Sequence, residues 1–188
     1  ILQALAAMLE KPGSDRITTA ALAANLSVSE AALYRHFASK AQMFEGLIDF
    51  IEQSVFSLVQ QVMGRDGEVL EFTPEDGARR AARIVALVLQ FAERNPGMVR
   101  VLVGDALLLE HERLQVRMNQ FFERIESTLR QCLRPAAGAL GSATPTVEAQ
   151  VAASVLMSFV QGRLLRFVRT GFRRQPTEHL DASLAMLI

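Results

Sequence analysis

The sequence predicts an all-α protein in which an N-terminal three-helix head joins a larger helical body. Two observations carry that expectation. Apolar residues recur at three- and four-residue intervals along nearly every segment, and no stretch alternates with the period of two that a strand requires. Strong breakers, above all Asn95-Pro96-Gly97, divide those periodic runs into helix-sized pieces. Half of the 188 residues are hydrophobic, enough for a substantial core.

Ile1–Glu10 carries Leu2, Leu5 and Leu9 and reads as mid-helix, so a further N-terminal segment is expected before it. Two short helices follow at about 19–26 and 29–37. Ser39 caps a long helix reaching Met63, with Phe44, Leu47, Ile51, Val55, Leu58 and Val62 on one stripe. Gly64–Pro74 reads as a loop, and a helix from Pro74–Glu75 to Arg94 stops at Asn95-Pro96. A short helix at about 98–103 leads to a long one from Leu108 to Arg134. Pro135–Pro145, rich in Ala, Gly and Ser, reads as a linker. An unusually apolar helix then runs from Thr146 to about Thr170, and a last helix begins near Thr177.

Composition narrows the function classes. Lys and Arg number 20 and so do Asp and Glu, a balance that gives no global attraction to phosphate. Uninterrupted apolar runs such as Ile84–Leu89 are short against the ~20 residues that span a bilayer, so no membrane anchor is expected. A single cysteine, Cys132, on an apolar helical face, fits a small core residue and a reducing cytoplasmic setting. Glu110-His111-Glu112 is an acid–histidine cluster without a second histidine at metal-ligand spacing, and no glycine-rich phosphate loop occurs. The expectation is therefore no enzyme, no metal and no cofactor.

The informative stretch is Ile17–Phe37, within a helix-turn-helix read over residues 14–40. Ala23 is small enough for two helices to cross, and Leu22, Leu26, Val28, Leu33 and Phe37 offer a compact apolar core. Ser29 is a good N-cap, which places Glu30, Ala31 and Ala32 in the first turn of the second helix, the turn that a recognition helix presents to base edges. Small Ala31 and Ala32 let that helix approach thymine methyls, and Glu30 either accepts from cytosine or complements the helix N-terminus. Tyr34 lies one turn on and offers its hydroxyl to a phosphate. Arg35, His36 and Lys40 add cations, and Thr18 and Thr19 open the preceding helix with free N–H groups suited to phosphate.

Thr18-Thr19, Val28-Ser29 and Leu33-Tyr34-Arg35-His36-Phe37 followed by Ser39-Lys40 resemble the helix-turn-helix of the TetR family of dimeric repressors. The resemblance implies a DNA-binding head (1–40) on a helical dimerisation and partner-binding body (41–188), with Tyr34, His36 and Lys40 on phosphates. Ser27 stands where that family usually has glycine, and a serine at positive φ costs about 1 kcal/mol. Further along, Met43-Phe44, Leu47–Glu52, Phe91–Gly97 and Arg113–Glu126 look like the nucleoid occlusion members of the family. What that resemblance implies is a cytoplasmic, nucleoid-associated homodimer that binds palindromic DNA and blocks assembly of the tubulin-like division protein FtsZ. Phe50, between Asp49 and Glu52 and off the buried stripe, is expected to be partly exposed, a candidate FtsZ contact with Leu87 and Arg94. The alternative is a ligand-responsive repressor of the same family, its Phe, Met and Leu side chains lining a small-molecule cavity, although Gln90, Gln120 and Gln161 suggest no common polar site. On either reading the apolar Val151–Val168 helix is expected to pair with its symmetry mate through Val151, Val155, Phe159 and Phe167.

Overall fold

A computed structural model describes residues 1–11, 16–64, 73–139 and 143–188. Its described elements are all helical: α1 (Leu2–Leu9), α2 (Thr19–Asn25), α3 (Glu30–Tyr34), α4 (Lys40–Met63), α5 (Pro74–Arg94), α6 (Pro96–Leu102), α7 (Glu112–Ala139), α8 (Pro145–Arg169) and α9 (Leu180–Leu187), with one 3₁₀ turn at Asp105–Leu107. Residues 14 and 15 of the expected helix-turn-helix, most of the Gly64–Pro74 loop and residues 140–142 of the expected linker lie outside the described residues. The helices form two compact units, the first comprising 1–53 and 95–119, the second 54–94 and 120–188.

In the first unit α1 packs on α6 and α2, and α2 on α3. Leu5 and Leu9 from α1, Leu22 from α2 and Leu33 from α3 are each 1% exposed. Helices α1 and α6 approach so closely at Gly97 that a Cβ there would lie 2.2 Å from the Ala6 carbonyl oxygen. Arg100 on α6 is 6% exposed, and its Nε donates to Asp105 Oδ2 at 2.7 Å while Nη1 reaches the Leu9 carbonyl at 3.5 Å. A buried guanidinium is tolerable only when so partnered, and here it also meets a carbonyl at the end of α1.

In the second unit α5 packs on α8. Thr73 caps α5, its Oγ1 accepting from the Asp76 N–H at 3.2 Å and donating to Asp76 Oδ2 at 3.0 Å. The Phe121 ring centroid lies 5.3 Å from those of Phe56 and Phe122, and the Arg124 guanidinium lies 3.8 Å from the Phe56 ring. Cys132 is fully buried, and burial pushes its thiol up to about 11.

Several boundaries depart from the sequence reading. Helix α7 begins at Glu112, leaving Leu108 and Leu109 exposed in the turn before it, and it continues through Pro135 to Ala139 where a linker was expected. Pro135 sits in the penultimate turn, and Ala136, Ala137 and Ala139 are strong helix formers that carry the chain on, with Ala137 buried. Helix α9 starts at Leu180, three residues late, because His179 takes a left-handed φ of 54°. By length and mean hydropathy (1.4), α8 is long and apolar enough to cross a membrane, which its short uninterrupted runs did not suggest. Its Ala149, Ala153, Leu156, Met157, Val160, Leu164 and Phe167 are buried within the protein, whereas Val147, Val151, Val155 and Leu165 are exposed.

Candidate nucleic-acid interface

The local chemistry that folds the helix-turn-helix also fixes what it presents. Thr18 Oγ1 accepts from the Ala21 N–H at 3.1 Å and Ser29 Oγ from the Ala32 N–H at 3.3 Å, so each helix starts on a side-chain cap. Between them Ser27 takes φ 55°, the left-handed conformation expected at the position that glycine would occupy most easily. The turn closes when the Val28 N–H donates to the Ala23 carbonyl at 3.0 Å. Leu22, Ala23 and Leu33 are buried as expected, whereas Val28 is 43% exposed. The left-handed residue before Val28 redirects the chain and leaves that side chain in solvent, outside the small core.

The second helix is shorter than the expected 29–37. It covers Glu30–Tyr34, and Arg35–His36 form a turn. The chain must leave the helix there because Ser39 starts α4, its Oγ accepting from the Gln42 N–H at 3.2 Å. On α3 at about 100° per residue, Leu33 points inward, so Ala31 and Arg35 occupy the middle of the outer face, flanked by Tyr34. Ala31, Arg35 and His36 are exposed, Tyr34 is 45% exposed and Ala32 is half-buried. This outer face is a small-residue patch with a phenol, a guanidinium and an imidazole at one end, which suits a groove floor beside phosphates.

Three expected contact residues are engaged side chain to side chain within the protein. Glu30 Oε2 accepts from Thr19 Oγ1 at 2.6 Å, tying the start of α3 to the start of α2. Lys40 Nζ is ion-paired with Glu110 Oε1 and stands 5.7 Å from the centre of the Phe44 ring. The sequence reading considered Glu110 only as part of an acid–histidine cluster, and its role as partner of Lys40, 70 positions earlier, had no local signal. Among the described residues no group of three or more His, Cys, Asp or Glu side chains is placed to hold a metal.

Phe50 is 47% exposed on α4, beside buried Leu47 and Ile51. Its acidic neighbours Asp49 and Glu52 both accept from Arg117 Nη2, at 2.6 and 2.7 Å, and Glu45 accepts from Arg113 Nε at 2.8 Å. Leu87 is half-buried and Arg94 exposed, seven residues apart on α5. Gln90, Gln120 and Gln161 are all exposed.

On α8, Val151 and Val155 are 58% and 46% exposed and Phe159 is half-buried, with the Arg163 guanidinium 4.8 Å from its ring. Phe167 corrects the expected interface set: it is 1% exposed, its ring 5.1 Å from that of Phe172. Sixteen residues after Val151, Phe167 is turned about 160° away around the helix, onto the face that packs inside the protein.

Comparison with known proteins bears on this geometry. The family model for bacterial regulatory proteins of the tetR family matches residues 1–47, and that for tetracyclin repressor-like C-terminal domains, of the SlmA-like kind, matches residues 75–188. The nucleoid occlusion factor SlmA of Idiomarina loihiensis is 50% identical over 182 residues, covering 97% of this chain and 88% of that protein. The Vibrio atlanticus protein of the same name is 50% identical over 188 residues, 100% of this chain and 91% of its own. Among solved structures, the TetR family regulator PfmR from Thermus thermophilus superposes with a TM-score of 0.76 at 18% identity, covering 99% of this chain and 95% of that one. The FadR regulator from Bacillus subtilis, solved with stearoyl-CoA, gives 0.69 at 12% identity over 100% and 95% of the two chains; at such identities both establish the fold alone. A TetR-type head on an SlmA-like body, with half of all residues shared along the whole length, makes this chain a member of the SlmA family of nucleoid occlusion factors within the TetR superfamily of DNA-binding regulators.

Proposed function

We propose that the protein acts as a homodimer on palindromic chromosomal DNA and, bound there, antagonises FtsZ assembly. The observation that carries this reading is the 50% identity to nucleoid occlusion factors over the full length, body included. In the head, Ala31 and Ala32 lie against base edges, and Glu30 borders them. Thr18, Thr19, Ser29, Tyr34, Arg35, His36 and Lys40 hold the flanking phosphates and set the register of the helix on the duplex. A twofold dimer through the open face of α8 presents two such helices to the two half-sites, and linkage raises the affinity of the second contact through effective concentration.

Phe50 in the first unit, and Leu87 and Arg94 in the second, are each proposed as FtsZ contacts. An aromatic ring half in solvent, beside two carboxylates bridged by Arg117, is suited to anchor a partner segment, and Arg94 suits its acidic groups. The test uses the purified chain, a palindromic duplex and FtsZ polymers followed by light scattering. Wild-type protein with the duplex is expected to disperse the polymers. Phe50→Ala and Arg94→Asp are expected to lose that effect while binding the duplex as before. Polymers that persist with wild-type protein on its site would overturn the function, and variants that behave as wild type would remove the contacts.

A further inference from the structure

We propose that Glu110 is an intramolecular competitor for DNA phosphate at Lys40, a carboxylate that weakens the grip of the head on the DNA backbone. The inference rests on the assignment of Lys40 to a phosphate and adds a residue to it from outside the helix-turn-helix. Lys40 is the first residue of α4, six positions after the end of α3. Unlike Arg35 and His36, which are exposed, its side chain is only 24% exposed and is held by Glu110, whose own side chain is 12% exposed.

Nothing about the Glu110 turn is accidental packing of an apolar segment. The two residues before it, Leu108 and Leu109, are 79% and 70% exposed, so the chain leaves two large apolar side chains in water while turning the carboxylate inward. The turn is closed by the Glu110 N–H donating to the Leu107 carbonyl at 3.0 Å and follows Gly104, whose φ of 79° opens the 3₁₀ turn. An ammonium has three protons, so a phosphate reaching Lys40 either shares it with Glu110 or displaces the carboxylate. Sharing places two anions on one cation, and displacement leaves a largely buried carboxylate to be rehydrated. Both routes oppose binding. Because the pair is neutral as it stands, Lys40 also releases less than a full counterion when DNA arrives.

The experiment is a double-mutant cycle on the full chain: wild type, Glu110→Gln, Lys40→Ala and the double variant. Each is titrated by fluorescence anisotropy with a palindromic and a scrambled duplex over a range of salt. Glutamine keeps the shape and a hydrogen bond to the ammonium while removing the charge; Glu110→Ala serves as a second variant, with thermal melting as the control for folding. Glu110→Gln is expected to bind both duplexes about threefold tighter or more, equally for the two because phosphate contacts carry no sequence information. Its salt dependence is expected to steepen by up to about one unit. In the Lys40→Ala background the same change is expected to do far less. Unchanged or weaker binding by Glu110→Gln, with Lys40→Ala impaired, would overturn the competitor role alone. Normal binding and salt dependence in Lys40→Ala would overturn the phosphate assignment beneath it.

Discussion

Phe167 and Val155 both looked interfacial in the sequence, and substitutions at the two should now separate. Phe167 is 1% exposed and pairs edge-on with Phe172. Truncation to Ala removes a buried ring from an interior that cannot fully collapse, a loss of about 3–5 kcal/mol in protomer stability. Val155 is 46% exposed in the protomer, so Val155→Glu should change protomer stability by about 0.5 kcal/mol or less. In a dimer paired through this face the same carboxylate would be buried without a partner at about 3 kcal/mol or more. It occurs twice per dimer, which weakens association on the order of 10⁴-fold. Urea unfolding and light scattering after size exclusion measure the two effects separately. Phe167→Ala should lose stability and remain dimeric when folded at low temperature, and Val155→Glu should give folded monomers. The reasoning fails if Val155→Glu stays dimeric at micromolar concentration, or if Phe167→Ala dissociates the dimer without loss of protomer stability.

Three further outcomes follow from the head and the core. Ala31→Glu puts a carboxylate at the centre of the outer face of α3, where it is fully solvated in the free protein; specific binding to the palindrome should vanish in an anisotropy assay while the melting temperature stays put. Ser27→Gly relieves a left-handed serine and should raise stability by about 1 kcal/mol or somewhat less, after the entropy cost of glycine in the unfolded chain, read as a shifted urea midpoint; a destabilised variant would contradict the strain. Cys132 has a thiol pushed up from its ordinary value of 9.0 to about 11 by burial, so the folded state favours the neutral thiol. Its stability contribution is present below pH 9 and is lost as pH rises through the interval to about 11. Cys132→Ala should flatten the alkaline limb of the stability profile, and the wild-type thiol should resist alkylation at neutral pH until the protein unfolds.

What was legible in the sequence was whatever depends on near neighbours. The caps Thr18 and Ser29, the left-handed turn at Ser27, the buried stripe of α4 and the stop at Asn95-Pro96 each rest on residues within one or two helical turns. The misreadings have several origins, some local and one far along the chain. Val28 matched an apolar core by type, but the backbone turn one residue earlier put it outside. Pro135 ends a helix on paper, and it does cost α7 the backbone bond its missing N–H would make, yet the alanines after it propagate the helix. Phe167 was grouped with Val151 by shared apolarity, while the helical angle between them, which the sequence does contain, sets them on opposite faces. The Lys40–Glu110 pair joins positions 70 apart and left no pattern to read.

A chain with equal numbers of acidic and basic residues would seem a poor ligand for DNA, and the ion pairs show why the total misleads. Phosphate affinity depends on cations that no carboxylate neutralises, and a large share of the charge in the first unit is already matched: Arg113 with Glu45, Arg117 with Asp49 and Glu52, Arg100 with Asp105. Those pairs lie on α4, α6, α7 and the 3₁₀ turn, whereas Arg16 before α2 and Arg35 and His36 after α3 are exposed. On the proposed reading of the head, selectivity comes from the close fit of Ala31 and Ala32 to base edges and from the pairing of two half-sites rather than from total charge. For a protein that is to act only where its sites are, weak attraction to all other DNA is an advantage, because competing sites vastly outnumber specific ones. On that logic Glu110 belongs to the design of the head: it subtracts from the one term in the binding energy that sequence cannot modulate.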